Sequence, residues 1–157
     1  KGSIQAKGNE AKGGDVTIIG TDWVSAGGHM DVSGETGGDV SITTGGLSLA
    51  APILAKGTTG EGGNININTL FKSWEVVSAL LDVSGASGGT IEHFAGQEIT
   101  TSGEYLAIGT AGAGGSIDVT ANTLKFMSNT IDASGTMGGG SIRLVLRPQQ
   151  LRHPRPW

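Results

Sequence analysis

The sequence predicts an all-β chain folded as a parallel β-helix, or β-solenoid, of about six coils of about 25 residues arranged in a two-coil super-repeat. Three observations carry this. Glycine doublets recur at a near-constant interval. Short stretches alternating apolar and polar residues flank each doublet. Almost the same nine residues also occur three times, as "MDVSGETGG" at 30–38, "LDVSGASGG" at 81–89 and "IDASGTMGG" at 131–139.

Doublets fall at Gly13-Gly14, Gly37-Gly38, Gly62-Gly63, Gly88-Gly89, Gly114-Gly115 and Gly138-Gly139, at intervals of 24, 25, 26, 26 and 24 residues. After each comes "DVTII", "DVSIT", "NININ", "TIEHF", "SIDVT" or, after one more glycine, "SIRLV". Alternation at period two marks a strand with one face inward. The inward residues are Val16, Val40, Ile65, Ile91, Ile117 and Ile142, then Ile18, Ile42, Ile67, His93, Val119 and Leu144, so only His93 breaks the aliphatic pattern. Their outward neighbours Thr17, Ser41, Asn66, Glu92, Asp118 and Arg143 are all polar.

A second strand precedes each doublet. Its inward pairs read Ile4 and Ala6, Met30 and Val32, Ile53 and Ala55, Leu81 and Val83, Leu106 and Ile108, and Ile131 and Ala133. A third, less regular apolar stretch follows in "DWVSA", "GLSLA", "KSWEVV", "QEIT" and "TLKFM". Three strands and three turns per unit make one coil, which buries its apolar face only by stacking on its neighbours.

The spacer between turn glycine and doublet has four residues in the first, third and fifth units ("KGNEAKGG") and two in the others ("SGETGG"), so "DVSG" belongs to the short-turn coils alone. Sharp turns and close coil spacing, about 4.8 Å, both favour glycine there.

Composition agrees. The chain has 29 Gly, seven aromatics and 15% charged residues. The glycines do not follow a three-residue period, which excludes collagen, and the alternating Val, Ile and Leu argue against disorder. There is no cysteine, so neither a disulfide nor a thiolate zinc site exists. His29, His93 and His153 form no metal-ligand spacing, no cofactor motif is present, and no apolar run approaches the ~20 residues of a transmembrane span. The opening "KGSIQAKGNE" lacks an apolar signal segment, as expected of a mature, trimmed or interior fragment or of a cytosolic chain.

The pattern [ILM]-D-[AV]-S-G-x-x-G-G, followed by a small polar residue and alternating aliphatics, resembles the repeats of filamentous-haemagglutinin-type exoproteins over residues 3–146. The resemblance implies a right-handed parallel β-helical shaft, an extracellular or cell-surface location and a structural or adhesive role. It supplies no catalytic residues.

Among residues able to carry chemistry, Asp31, Asp82 and Asp132 occupy matching places in the short-turn coils. They read as a cation- or sugar-binding ladder or, more simply, as solvent-facing residues before a turn whose Ser33, Ser84 and Ser134 bond local backbone. The calcium nonapeptide GGxGxDxUx is not matched. His93 reads as a hydrogen-bonded core histidine or the sign of a register shift, and Trp23 and Trp74 as core rather than sugar-stacking residues. Glycoside cleavage needs two carboxylates across a groove, whereas the acids are scattered, so a non-catalytic protein is expected. A carbohydrate-binding or polysaccharide-cleaving β-helix is the alternative. Irregular outward positions argue against an ice-binding array.

The β-helix should occupy residues 1–146, with 147–157 a Pro/Arg-rich tail. "LRPQQLRHPRPW" holds three of the four prolines, which cannot sustain a strand ladder. Residues 1–142 carry six Lys against fourteen acids, while Arg143, Arg147, Arg152 and Arg155 make the end basic. Arg147, Arg152, Arg155 and Trp157 are candidates for docking on an acidic neighbour. Expected partners are proteins, or further copies through the β-helix ends, with a glycan as a further ligand class. Nucleic acid does not suit an acidic body.

Overall fold

A computed structural model describes residues 2–70, 75–127 and 129–147. Coil 1 comprises β1 (Ser3–Gln5), β2 (Asp15–Ile19) and β3 (Trp23–Ala26); coil 2, β4 (His29–Asp31), β5 (Asp39–Thr44) and β6 (Gly46–Leu49); coil 3, β7 (Ile53–Leu54), β8 (Asn64–Thr69) and β9 (Glu75–Val77). Coil 4 comprises β10 (Leu80–Asp82), β11 (Thr90–Ala95) and β12 (Glu98–Thr101); coil 5, β13 (Glu104–Leu106), β14 (Ser116–Ala121) and β15 (Thr123–Phe126). Coil 6 adds β16 (Thr130–Asp132) and β17 (Ser141–Leu146). The described solenoid therefore has five complete coils and a sixth of two strands, slightly short of six full turns. Each strand pairs in parallel with its equivalent one coil away, giving sheets of six, six and five strands.

The inward columns of the second sheet fall as the alternation predicts. Val16, Val40, Ile65, Ile91, Ile117 and Ile142 are register partners in turn, as are Ile18, Ile42, Ile67, His93, Val119 and Leu144. In the first sheet the column is Ile4, Met30, Ile53, Leu81, Tyr105 and Ile131. In coil 5 this corrects the reading of Leu106 and Ile108 as inward: Tyr105 and Ala107 are the buried pair. "YLAI" is apolar at both phases of the alternation, so period two does not choose between them. The turn glycine does. Gly109 bridges Gly85 and Gly135, and counting back two residues from each turn glycine lands on Val83, Ala107 and Ala133.

The glycine doublets lock coil to coil by close approach. A Cβ on the first glycine of the pair would overlap a carbonyl oxygen of the following coil: Val32 for Gly13, Ala55 for Gly37, Val83 for Gly62, Ala107 for Gly88 and Ala133 for Gly114. A Cβ on the second would overlap the preceding coil: Gly14 for Gly38, Gly38 for Gly63, Gly63 for Gly89, Gly89 for Gly115 and Gly115 for Gly140, which corrects the sixth doublet from Gly138-Gly139 to Gly139-Gly140. The pair is thus gripped from both sides. Left-handed backbone is not the cause, because among the described residues only Gly138 has a positive φ, of 155°.

The outer surface is also joined between coils. Asn64 Nδ2 donates to Asp39 (2.6 Å), Asn66 Nδ2 to Glu92 (2.8 Å), Lys125 Nζ to Glu98 (2.8 Å) and Ser102 Oγ to Ser78 (3.0 Å).

Candidate interaction site

The three repeated aspartates lie on the outward side of the first sheet, in the column Gln5, Asp31, Leu54, Asp82, Leu106, Asp132. A leucine thus separates successive carboxylates. Asp31 and Asp82 are only 3% and 5% exposed, which corrects the expectation of solvent-facing turn residues. Their neighbours above and below cover them. Each Oδ1 accepts the N–H two residues on, from Ser33 (3.0 Å), Ser84 (2.9 Å) and Ser134 (2.8 Å).

The preceding coil supplies the counter-charge. Lys7 Nζ lies 2.6 Å from Asp31 Oδ2 and Lys56 Nζ lies 3.1 Å from Asp82 Oδ2. Coil 5 places Ile108 at that position, so Asp132 has the backbone bond without the lysine. The serines complete the motif on the other side: Ser33 Oγ accepts the Lys56 N–H (3.2 Å) and Ser84 Oγ the Ile108 N–H (3.1 Å). "DVSG" is therefore a clamp holding the coils before and after it. Lys7 and Lys56 stand one residue before the turn glycine in the first and third units, a regularity in the sequence that points to their role.

These contacts set the acid behaviour. Burial pushes the Asp31 carboxyl up, but the Lys7 ammonium and the Ser33 N–H and hydroxyl outweigh it and hold it below its ordinary value. Asp39 is held low first by Lys12, then by Asn64, against partial burial, and Asp132 by the Ser134 hydroxyl and N–H. Carboxyls with lowered folded-state values contribute stability that is full above the unfolded value and lost as pH falls through the folded one. The melting temperature should stay level down to about pH 5 and drop below about pH 4. Lys7→Met should be less stable at neutral pH and show a shallower acid limb, because Asp31 then loses the ammonium that helps to hold its carboxyl low. Acid limbs of equal slope in thermal melts of the two proteins would contradict this.

The basic end is only partly within the described residues. Arg147 donates its N–H to Ala121 O (2.9 Å), and its guanidinium lies 5.0 Å from the Phe94 ring centre. Arg152, Arg155 and Trp157 lie outside the described residues, as does Trp74. Trp23 is 47% exposed, opposite Gly46 on the outer side of the third sheet, which corrects its reading as core. In "WVSA" the inward phase belongs to Val24 and Ala26.

A shallow concavity of about 200 Å³ on the second sheet is lined by Glu92, Phe94, Asp118, Thr120, Arg143 and Arg147. Glu92 and Asp118 are register partners there. Both are engaged, Glu92 by Asn66 and Asp118 by the Thr120 hydroxyl (3.1 Å) and Arg143 Nε (2.5 Å). No group of three or more His, Asp or Glu able to hold a metal ion occurs among the described residues, and no helix is long and apolar enough to cross a membrane.

The fold and these contacts define a class, the parallel β-solenoids built of short glycine-locked coils. Comparison with protein-family models, with curated proteins and with solved structures finds no match to this chain.

Proposed function

We propose that this chain is a segment of a structural shaft, non-catalytic, of an extracellular or cell-surface repeat protein of the filamentous-haemagglutinin type, with an adhesive or assembly role. The observation that supports this most directly is where the charged side chains go. Lys7, Lys12, Lys56, Lys125 and Arg143 each reach an acid of a neighbouring coil. A surface whose charges are used between coils serves the rod itself.

A second reading, a carbohydrate-binding or polysaccharide-cleaving β-helix, draws on the adjacent Glu92 and Asp118 beside Phe94 in the shallow concavity. Incubation with a panel of polysaccharides, measuring released reducing ends, separates the two. The shaft reading expects no release above that of the Glu92→Gln/Asp118→Asn variant. Release lost in that variant would establish the second reading instead. Antibody against the chain should label intact cells of the producing organism or its medium, and label confined to lysed cells would remove the surface assignment.

A further inference from the structure

We propose that the outer face of the first sheet over coils 3 to 5 is a docking surface for a short segment of a protein partner that carries a lysine or arginine beside aliphatic residues. The inference deepens the adhesive side of the shaft reading, naming a face and the chemistry of what it holds.

A break in the series of lysine–aspartate pairs marks the place. The residue before the turn glycine is Lys7 in coil 1, Lys56 in coil 3 and Ile108 in coil 5. The two lysines reach the carboxylate of the next coil, Asp31 at 2.6 Å and Asp82 at 3.1 Å. Asp132 holds the equivalent place after Ile108. Its Oδ1 accepts the Ser134 N–H (2.8 Å), and it has no cation among the described residues. Glu104, exposed in its column between Leu80 and Thr130, is likewise without one. From coil 3 to coil 6 this face therefore carries Asp82, Glu104 and Asp132 against Lys56 alone, three acids to one lysine.

What replaces the lysine is apolar surface. Ile108, Leu106, Leu54 and Leu80 are half-buried on the outward side of the sheet, with Pro52 exposed at their edge. All five lie in coils 3 to 5, with a described coil on either side, so their exposure belongs to the flank of the rod and not to its ends.

Size selects the kind of partner. Coils 3 to 5 span about 10 Å along the axis, and the three outward positions span about 13 Å across it. A stable interface between folded domains covers about 800 Å² on each side. The patch is far smaller, so it fits a few residues of one segment rather than a second rod. In that segment the cation meets Asp132 as Lys56 meets Asp82, its methylene stem covers Ile108, and aliphatic neighbours rest on Leu106 and Leu80.

Selection of displayed random heptapeptides on the immobilised chain at low salt tests this. The parent should enrich peptides with Lys or Arg next to Leu, Ile or Val. Affinity of the enriched peptides should fall about tenfold or more with Ile108→Lys, with Leu106→Gln and at high salt. Ile108→Lys supplies from within the chain the cation that Lys56 gives Asp82, so it should melt no lower than the parent. Leu106→Gln introduces the residue that coil 1 carries in that column, Gln5, and keeps the test open should Ile108→Lys fail to fold. Enriched peptides without a cation, or affinities that both variants leave unchanged, would overturn the inference. So would a dimer in sedimentation that Ile108→Lys dissociates, which would give the face to a second copy of the chain. The polysaccharide and surface-labelling results do not involve this patch, so the shaft reading can stand when the docking surface falls.

Discussion

Gly62→Ala is expected to lose the cooperative unfolding transition of the parent, while Gly139→Ala melts as the parent does. Both substitutions add one methyl to the first glycine of an inter-coil pair, Gly62-Gly63 or Gly139-Gly140, and strand propensity cannot separate them, but nothing lies within 4 Å of the Cβ position at Gly139. What separates them is the neighbour. At Gly62 the methyl would occupy the Val83 carbonyl oxygen and crowd the Gly89 amide nitrogen, both backbone atoms held by their own ladders. Val83 O already accepts the Gly89 N–H at 2.8 Å, so the carbonyl cannot turn aside without opening that bond. The coils would have to part at the middle of the stack, exposing the interior around Ile65, Val83 and Ile91. A loss above about 4 kcal/mol follows from a backbone overlap of this kind. Thermal melts by circular dichroism decide it, and a Gly62→Ala chain melting within a few degrees of the parent would show that the coils can separate locally.

The same contrast tells how much of the architecture was legible. The doublet spacing and the alternation after it gave the coil length, the parallel stacking and the two inward columns of the second sheet, because those strands are long enough for period two to speak. They also gave the two-coil super-repeat, since spacer length is visible directly. The clamp around Asp31 and Asp82 was half legible. Their recurrence was plain, but a strand pattern marks Asp as outward and does not show that an outward residue flanked by Gln5 and Leu54, or by Leu54 and Leu106, becomes covered. Trp23 was misplaced for a related reason: bulk and aromaticity suggested core, whereas in a four-residue strand the phase of Val24 and Ala26 decides.

The two misfits in the core explain one another. His93 broke the aliphatic column of the second sheet, and Tyr105 stood where the first sheet was expected to show an outward residue. In the folded chain both are buried, with the His93 Nδ1 and the Tyr105 hydroxyl 2.9 Å apart and the rings stacked at 6.0 Å and 19°. The pair links two sheets across the interior between coils 4 and 5. A polar group brought into an apolar column is tolerated when its partner comes with it.

Tyr105→Ala should therefore cost about 3–5 kcal/mol, as large-to-small changes of buried aromatic residues do. Tyr105→Phe keeps the ring and removes the hydroxyl, and should cost about 1–3 kcal/mol, because the histidine loses that hydrogen bond inside the core. His93→Ile matches its column neighbours Ile67 and Val119 in type and leaves the hydroxyl without its Nδ1 contact, at a similar cost. The informative protein is the double variant. With the hydrogen bond between them removed from both sides, His93→Ile/Tyr105→Phe should lose clearly less stability in denaturant unfolding than the sum of the two single losses. Strict additivity in that cycle would mean that the two side chains are tolerated separately, and that the hydrogen bond between them does not account for their joint presence in the core.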